Sequence, residues 1–215
     1  MARNNFRDSS DIDLLLITSH EIRSRELKKR IPKTLLPKEG IINFSIYSEA
    51  RFSSAYKKGS LFLAHLVNEG KVLYDNGFYE HLRQEVFEPS EQKMRTKLKV
   101  LKMKLEIADD LRKYNNLYVG LLADFFTISK ILAFNVLAMS GEAVFDKKKA
   151  FFQLAEKHPH YKEEIYKLYG LEPFFLRNSK GVSESLPFSP YDCTEKVIEM
   201  RECLKRILVG VTENG

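Results

Sequence analysis

The spacing of apolar residues changes along the chain, and the change divides it near residue 89. Ahead of this point, apolar residues form short runs at 14–17 and 41–47, which are typical of buried strands. Beyond it they recur every three or four positions, as one stripe of a long helix: Met94, Leu98, Leu101, Leu105 and Ala108. With Pro89 at the boundary, the pattern predicts a mixed domain at 1–88 and an all-helical domain at 89–215.

The first domain is predicted to alternate short strands with helices. Ser48 is expected to cap the helix that follows the second strand, with Glu49 in its first turn, and Gly70 is expected to end the next helix. The predicted elements are a strand at 14–17, a helix at 20–31, a strand at 41–47, helices at 48–58 and 60–68, a strand at 72–74 and a helix at 78–87.

The second domain centres on the nearly all-apolar segment 117–139, which is long enough to span a bilayer. Asp124 and Lys130 near its middle would each cost about 2.5–3.5 kcal/mol on membrane insertion, so a helix buried by its neighbours is the better interpretation. The two charges are offset by about 120° around the helix and are not expected to pair. The other predictions are helices at 147–156, 162–169 and 192–209 and a polar loop at 177–190.

Composition indicates a soluble globular protein. Of the 215 residues, 44% are hydrophobic and 30% are charged, which suits one large or two small domains. Cys193 and Cys203 would lie about 15 Å apart on one helix, too far for a disulfide. With no recognisable signal sequence, this indicates a cytoplasmic protein with no membrane association. No Cys/His cluster has the spacing of a zinc site.

The net charge of +6 is concentrated in one place. Residues 91–113 carry eight Lys or Arg against four Asp or Glu. A basic stripe of this kind can follow the phosphates of a nucleic acid. It is more often a solvated helix face, and the sequence leaves both interpretations open.

Two acidic residues near the start of the chain are the main chemical candidates. Asp11 and Asp13 lead into the first strand, where residues two apart face the same side, about 6–7 Å apart at their Cα atoms. Like charges at this distance repel each other unless a cation lies between them. Mg²⁺ suits the pair because it binds one or two carboxylates together with substrate phosphates.

The residues from Ala2 to Asp13, with Ala2-Arg3 leading into Ser10-Asp11-Ile12-Asp13, resemble the signature of the nucleotidyltransferase superfamily, the DNA polymerase β-like fold. The resemblance implies that Asp11 and Asp13 hold the metal ions and are catalytic, and that Ser10 and Arg3 lie near the nucleoside triphosphate. It implies an α+β protein, with a small mixed-sheet nucleotidyltransferase-like domain before an antiparallel all-α domain.

The chain departs from this family pattern at two points. The family's first helix, first strand and Gly-Ser turn would precede Met1, so the chain is expected to lack them or to represent a protein whose start lies further upstream. Asn43 stands where the family's third carboxylate is expected; it can ligate a cation but cannot act as a base. Glu49 is the nearest carboxylate, although a helix start suits it better.

Two further segments carry the resemblance. Residues 59–65 and 69–75 look like the helix and final strand that close the domain in bacterial members, with His65 expected to be a packed residue rather than a catalyst. The helical half resembles the HEPN-type or substrate-binding domains that accompany this fold. It lacks the Arg, four to six residues, then His of HEPN ribonucleases, because no Arg precedes His158 or His160 at that spacing. RNA cleavage is therefore not expected.

Two functions follow from the resemblance. One is Mg²⁺-dependent transfer of a nucleoside monophosphate from an NTP to an acceptor hydroxyl on a protein, a small molecule or RNA. The alternative is a catalytically degenerate member that binds a nucleotide or a partner protein, for example as a toxin–antitoxin component. The apolar segment 117–139 makes a homodimer through the helical half plausible on composition alone.

Overall fold

The structure is a computed structural model, and it describes residues 12–22, 26, 29, 42–85, 87–107, 110–182 and 185–213, with the backbone alone at 12, 42, 43, 107, 212 and 213. Most of the predicted helix at 20–31 lies outside these residues, as do Arg3, Ser10, Asp11 and Ala108. The chain divides into two compact units, Met1–Ser90 (unit 1) and Glu91–Gly215 (unit 2). The coarse α+β class is confirmed: the described residues are mostly helical and include one small sheet.

The sheet of unit 1 contains two parallel strands, β1 (Ile12–Thr18) and β2 (Ile42–Ser48). They pair without a bulge from Ile12 opposite Ile42 to Thr18 opposite Ser48. Parallel pairing requires the chain to cross over between the strands, which the long intervening segment allows. Both predicted strands are present, each slightly displaced from its apolar run.

The predicted strand at 72–74 is wrong. These residues form an irregular loop, with Val72, Leu73 and Tyr74 exposed by 43%, 77% and 88%. Three apolar residues do not by themselves distinguish a strand from a loop, because a strand also needs a neighbour for its backbone hydrogen bonds.

Three helices complete the described part of unit 1: α1 (Glu49–Lys57), α2 (Leu61–Glu69) and α3 (Phe78–Arg83). The predicted cap is confirmed, since the Ser48 Oγ accepts a hydrogen bond from the Arg51 N–H at 3.3 Å. Helix α3 is four residues shorter than predicted. The rings of Phe52 and Phe78 meet edge to face at 6.3 Å and join α1 to α3.

Unit 2 contains six α-helices in its described residues. They are α4 (Glu91–Ile107), α5 (Val119–Met139), α6 (Lys147–Lys157), α7 (Lys162–Tyr169), α8 (Glu172–Lys180) and α9 (Thr194–Glu213). The predicted central role of the apolar segment is confirmed, because α5 contacts all five of the other helices. One described helix, α5, is long and apolar enough to cross a bilayer, and 72% of its most apolar window is buried inside the protein.

The outer helices of unit 2 bury the apolar stripes that their sequences predict. On α4 the stripe consists of Met94, Leu98, Leu101 and Leu105, and on α9 of Val197, Met200, Leu204, Ile207 and Leu208. All lie at most 6% exposed. Both cysteines are free thiols, as predicted.

Helix α8 was not predicted, and the expected loop at 177–190 is wrong in its first turn, since residues 177–180 complete this helix. Phe174 and Leu176 of α8 are buried, and α8 makes its largest contact with α5. Tertiary packing therefore stabilises a segment whose polar residues favour loops.

A short backbone clasp joins residues 116–118 to residues 190–192. The Tyr118 N–H donates to the Pro190 carbonyl at 3.0 Å, and an isolated antiparallel bridge forms beside it. The hydroxyls of Tyr118 and Thr194 lie 2.9 Å apart. The clasp therefore fixes the start of α5 next to the start of α9.

Candidate functional site

Asp13 is the predicted metal ligand that the structure describes. It is the second residue of β1, and its side chain is exposed, whereas the four apolar residues that follow it are partly buried. A carboxylate at the rim of a packed strand is accessible to a solvated cation while its backbone is held by the sheet. Asp11, Ser10 and Arg3 lie outside the described residues, so the proposed pairing of Asp11 with Asp13 stays a prediction.

The strand register places Asn43 directly beside Asp13. These two residues are Cα partners in the parallel ladder, one position from the start of each strand. The position that the family pattern reserves for a third carboxylate is therefore next to Asp13 along the sheet, and this chain has an amide there. Because position 43 is Asn, β2 supplies no carboxylate beside Asp13.

Glu49 cannot replace the missing carboxylate. It is the first residue of α1, beyond the carboxyl end of β2, whereas Asn43 and Asp13 lie at the amino end of the sheet. Glu49 follows Asn43 by six positions of extended chain, which corresponds to about 20 Å. Its acidic side chain instead lies in the first turn of α1, as expected from the helix dipole.

Metal-ligand clusters are absent from the described part of the chain: no three side chains of His, Cys, Asp or Glu there come together in a way that could hold a metal ion. Asp11 lies outside this described part. The donor atoms of Asp13 are hard oxygens, which suit Mg²⁺, and one carboxylate with water and substrate phosphates is a common environment for this ion.

The Gly59-Ser60 pair has a structural role. Gly59 is buried with φ of +73°, and a Cβ atom built on it would lie 2.3 Å from the Ser90 nitrogen and 2.8 Å from the Glu88 oxygen. Only glycine fits this left-handed turn against another backbone segment. Ser60 precedes α2 without a capping side-chain hydrogen bond. The pair therefore packs against the backbone at the end of unit 1.

His65 lies on α2 and is half-buried. Its Nδ1 is 3.8 Å from the Glu69 carboxylate, one helical turn away. This contact fits the expectation of a packed histidine with a local partner, because i and i+4 side chains meet on one helix face.

The two charged residues of α5 face different neighbours, as their angular offset predicts. Desolvation raises the pKa of Asp124, and the nearby Lys104 ammonium on α4 opposes that rise. The Lys130 ammonium lies 4.7 Å from the centre of the Phe175 ring on α8. The two charges are not paired with each other: Asp124 interacts electrostatically with Lys104 of α4, and Lys130 contacts Phe175 of α8.

Lys130 has the more unusual environment. Desolvation is the main cause that lowers its pKa, and the ammonium groups of Lys147 and Lys180 act in the same direction, while the Glu172 carboxylate opposes them. Glu172 itself forms an ion pair with Lys147. Sequence reasoning missed this group because it missed α8, although Pro173 near the start and Gly181 just after the end are typical helix boundary signals.

Comparison with known proteins assigns no family to this site. No protein-family model, curated protein or solved structure matches the chain. The functional argument therefore depends on the residues themselves.

Proposed function

We propose that unit 1 binds a nucleoside triphosphate as its Mg²⁺ complex and transfers the nucleoside monophosphate to an acceptor hydroxyl. The observation that supports this most directly is the exposed carboxylate of Asp13 at the start of a strand whose following residues are packed. Asp11, two residues earlier, would face the same side of an extended chain and complete a pair of oxygen ligands.

The transfer assigns a task to each residue of the proposed site. The acceptor oxygen bonds to the α-phosphorus, the bond from that phosphorus to the bridging oxygen breaks, and pyrophosphate leaves. Mg²⁺ would lower the pKa of the acceptor hydroxyl and neutralise charge on the leaving group. Asp11 and Asp13 would hold the cation, and Ser10 and Arg3 would hold the triphosphate. The acceptor proton would pass to solvent water, since Asn43 cannot accept it.

In this proposal unit 1 is a nucleotidyltransferase-like domain with a small sheet, whose described strands are parallel rather than mixed, and unit 2 is an antiparallel, HEPN-like or substrate-binding helical domain. A cytoplasmic protein is consistent with the burial of α5 in unit 2 and with two free thiols. The acceptor is a protein, a small molecule or RNA, and unit 2 would bind it, bind a partner protein or form a homodimer.

A second candidate function is nucleotide binding without transfer. The pairing of Asp13 with Asn43 in the strand register favours it, because a carboxylate at that position would add both a metal ligand and a base. Loss of one such interaction typically removes two to three orders of magnitude in rate, about 3–4 kcal/mol of transition-state stabilisation. A protein of this kind would hold Mg²⁺-NTP as a ligand or present it to a partner.

Nucleotide transfer can be measured with the full chain and α-labelled NTPs in Mg²⁺ or Mn²⁺. Candidate acceptors are the protein itself, total RNA and a panel of small hydroxyl compounds. Asp13→Asn is expected to reduce transfer by about 100-fold or more. Glu80→Gln is the matched control, since it removes one exposed carboxylate from the same unit and is expected to leave the rate unchanged. Equal rates for Asp13→Asn and the parent protein would refute the assigned site.

Binding without transfer has its own signature. Calorimetric titration with Mg²⁺-ATP should then give saturable heat that Asp13→Asn abolishes, while no label is transferred to any acceptor. Asn43→Asp separates the two proposals further, because a site lacking only the third carboxylate should gain measurable transfer from this change. If the parent protein neither binds nor transfers a nucleotide, both proposals are wrong.

A further inference from the structure

Lys130 is unusual among the lysines that the structure describes. It lies on the apolar central helix α5, and it is the one described lysine whose pKa is lowered, mainly by desolvation. Its ammonium group forms no ion pair with a carboxylate in the described part of the chain, and it lies over the Phe175 ring, 4.7 Å from the ring centre. A desolvated cation without an anion is unfavourable, because a ring face replaces only part of its lost hydration.

Lys147 approaches the same face of α8 as Lys130. It is the first residue of α6 and forms an ion pair with Glu172, the first residue of α8. Glu172 and Phe175 are three positions apart on α8, so their side chains lie on one face, less than one helical turn apart along the axis. The ammonium groups of Lys130 and Lys147 are therefore neighbours, and their repulsion contributes to the lowered pKa of Lys130.

Lys180 brings a third positive charge from the end of α8. Its ammonium group also repels that of Lys130, whereas Glu172 is the one carboxylate among the main described charges that act on Lys130. This carboxylate is already paired with Lys147. The group therefore has three ammonium ions against one carboxylate, which leaves an excess of two positive charges around a partly buried amine.

The residues on either side of Lys147 do not supply the missing anion. Asp146 caps α6, since its carboxylate accepts a hydrogen bond from the Lys149 N–H at 2.9 Å, and it is not among the main charges that act on Lys130. Lys148 and Lys149 add positive charge to the first turn of α6, where cations oppose the helix dipole. Neither of them is among the main charges that act on Lys130, so both are suitable controls.

This charge balance suits a doubly charged oxyanion. Lysine ammonium groups bind phosphate as point charges, and their rotatable donors can turn towards its oxygen atoms. A phosphate group beside Lys130 would replace the hydration that the amine loses on burial, and it would offset the repulsion among the three ammonium groups. A single carboxylate would leave one of the two excess charges uncompensated.

We propose that Lys130, Lys147 and Lys180 bind a phosphate group between α5, α6 and α8, either as the free ion or as the ester of a small molecule. All three helices contribute to the continuous core of unit 2, so packed elements hold the site. The site requires neither Mg²⁺ nor Asp13, and it is therefore independent of the nucleotide site proposed for unit 1.

Thermal unfolding of the full chain with increasing inorganic phosphate, followed by circular dichroism, tests the proposal. Ionic strength is held constant with NaCl at near-neutral pH, so that a specific ligand is distinguished from a general salt effect. The unfolding midpoint should rise with phosphate concentration, because the ligand binds only the folded state. Lys130→Met, compared with its own phosphate-free midpoint, should weaken the affinity by about 10–100-fold. Lys180→Gln should weaken it by about threefold or more.

Glu172→Gln should change the affinity in the opposite direction. It removes the carboxylate that competes with phosphate for Lys147, so phosphate should bind about threefold tighter or more. A purely structural role for Glu172 predicts no such gain. The proposal would be overturned if phosphate did not raise the midpoint of the parent protein above the NaCl control. Unchanged affinity in Lys130→Met, or no gain in Glu172→Gln, would also overturn it.

The matched control is Lys148→Gln with Lys149→Gln, which removes two charges from exposed positions next to Lys147. It should change the affinity by less than about threefold. A loss as large as that of Lys130→Met would mean that general positive charge attracts phosphate, and it would refute the site. Glycerol phosphate identifies the source of the ligand: tighter binding than inorganic phosphate indicates an ester, and equal or weaker binding indicates the free ion. Either result supports the site.

Discussion

Among the described residues, unit 1 and unit 2 bury very different amounts of apolar side chain. The fully buried apolar residues described in unit 1 are Phe52, Tyr56, Leu63, Ala64, Val67 and Leu82. Unit 2 has a continuous core that includes residues from all six of its described helices, with α5 at its centre. The candidate functional residue belongs to the unit with the smaller described core: the exposed carboxylate of Asp13 lies at the start of β1 in unit 1.

This contrast separates two kinds of substitution. In unit 2, the side chains that matter most for stability fill the space around α5. In unit 1, the described core is smaller, and Gly59 packs tightly against the backbone of residues 88–90. We therefore expect the largest stability effects in the core of unit 2 and the most specific backbone effects in unit 1.

The largest expected effect is the loss of an aromatic ring at the centre of unit 2. Phe126 is fully buried on α5, stacked on Phe151 at 5.8 Å and in contact with Phe175 at 5.3 Å. Phe126→Ala should lower the free energy of unfolding by about 3–5 kcal/mol, because it removes buried surface and leaves a cavity. Urea denaturation followed by circular dichroism measures the change.

Phe152→Ala is the matched control for this prediction. Phe152 is 40% exposed on α6 and contacts tyrosine rings at the surface. Its removal should cost about 1 kcal/mol or less. Similar losses for the two variants would mean that the core of unit 2 does not depend on α5 in the way described.

The next effect concerns the backbone of unit 1. Gly59→Ala introduces a side chain at φ of +73° and only 2.3 Å from the Ser90 nitrogen, so the turn between α1 and α2 must shift. We expect a loss of about 2 kcal/mol. Gly77 has a φ of +98° with open space around it, so Gly77→Ala isolates the conformational term and should cost about 1 kcal/mol. Equal costs would show that the contact with residues 88–90 is not made in solution.

The smallest effect is electrostatic and belongs to unit 2. Because desolvation lowers the pKa of Lys130 in the folded protein, the unfolded chain binds more protons between the folded and unfolded pKa values. The free energy of unfolding contributed by Lys130 therefore rises with pH through that range, and the charged amine is unfavourable below it. Lys130→Met should stabilise the protein at pH 7 by up to about 1 kcal/mol.

The pH dependence provides the check. The advantage of Lys130→Met should shrink as the pH is raised through the lowered pKa of the partly buried Lys130 amine, because the parent protein then loses the unfavourable charge. Lys149→Met, at an exposed position of α6, should stay within about 0.5 kcal/mol of the parent protein at every pH. A stabilisation that is independent of pH would indicate better packing against Phe175 rather than removal of a desolvated charge.

Local sequence signals correctly predicted the helices whose first residue or buried face they mark. Ser48 begins α1, and the apolar stripes of α4 and α9 identify the faces that these helices bury. Helix α8 escaped prediction because its stability comes from Phe174 and Leu176 packed in the core, which no window of sequence displays. The loop at 72–74 shows the converse error, since a locally apolar run was taken for a strand without evidence of a pairing partner.

The candidate site was only partly readable from sequence. The family resemblance singled out Asn43 as the position of a third carboxylate, but strand direction and register depend on how the chain crosses between β1 and β2. The parallel register pairs the two residues and places Glu49 at the far edge of the sheet. The proposed cation site also includes Asp11, and its contribution has to be measured by experiment.

The clasp between residues 116–118 and 190–192 has a consequence for how the protein folds. It brings together segments more than 70 positions apart in the chain. Closing this loop therefore has an entropic cost that local helix formation does not have. Helices α6 to α8, which lie within that loop, can associate with α5 before the clasp closes. We therefore expect α9 to be the last of these helices to acquire its native amide-exchange protection during refolding.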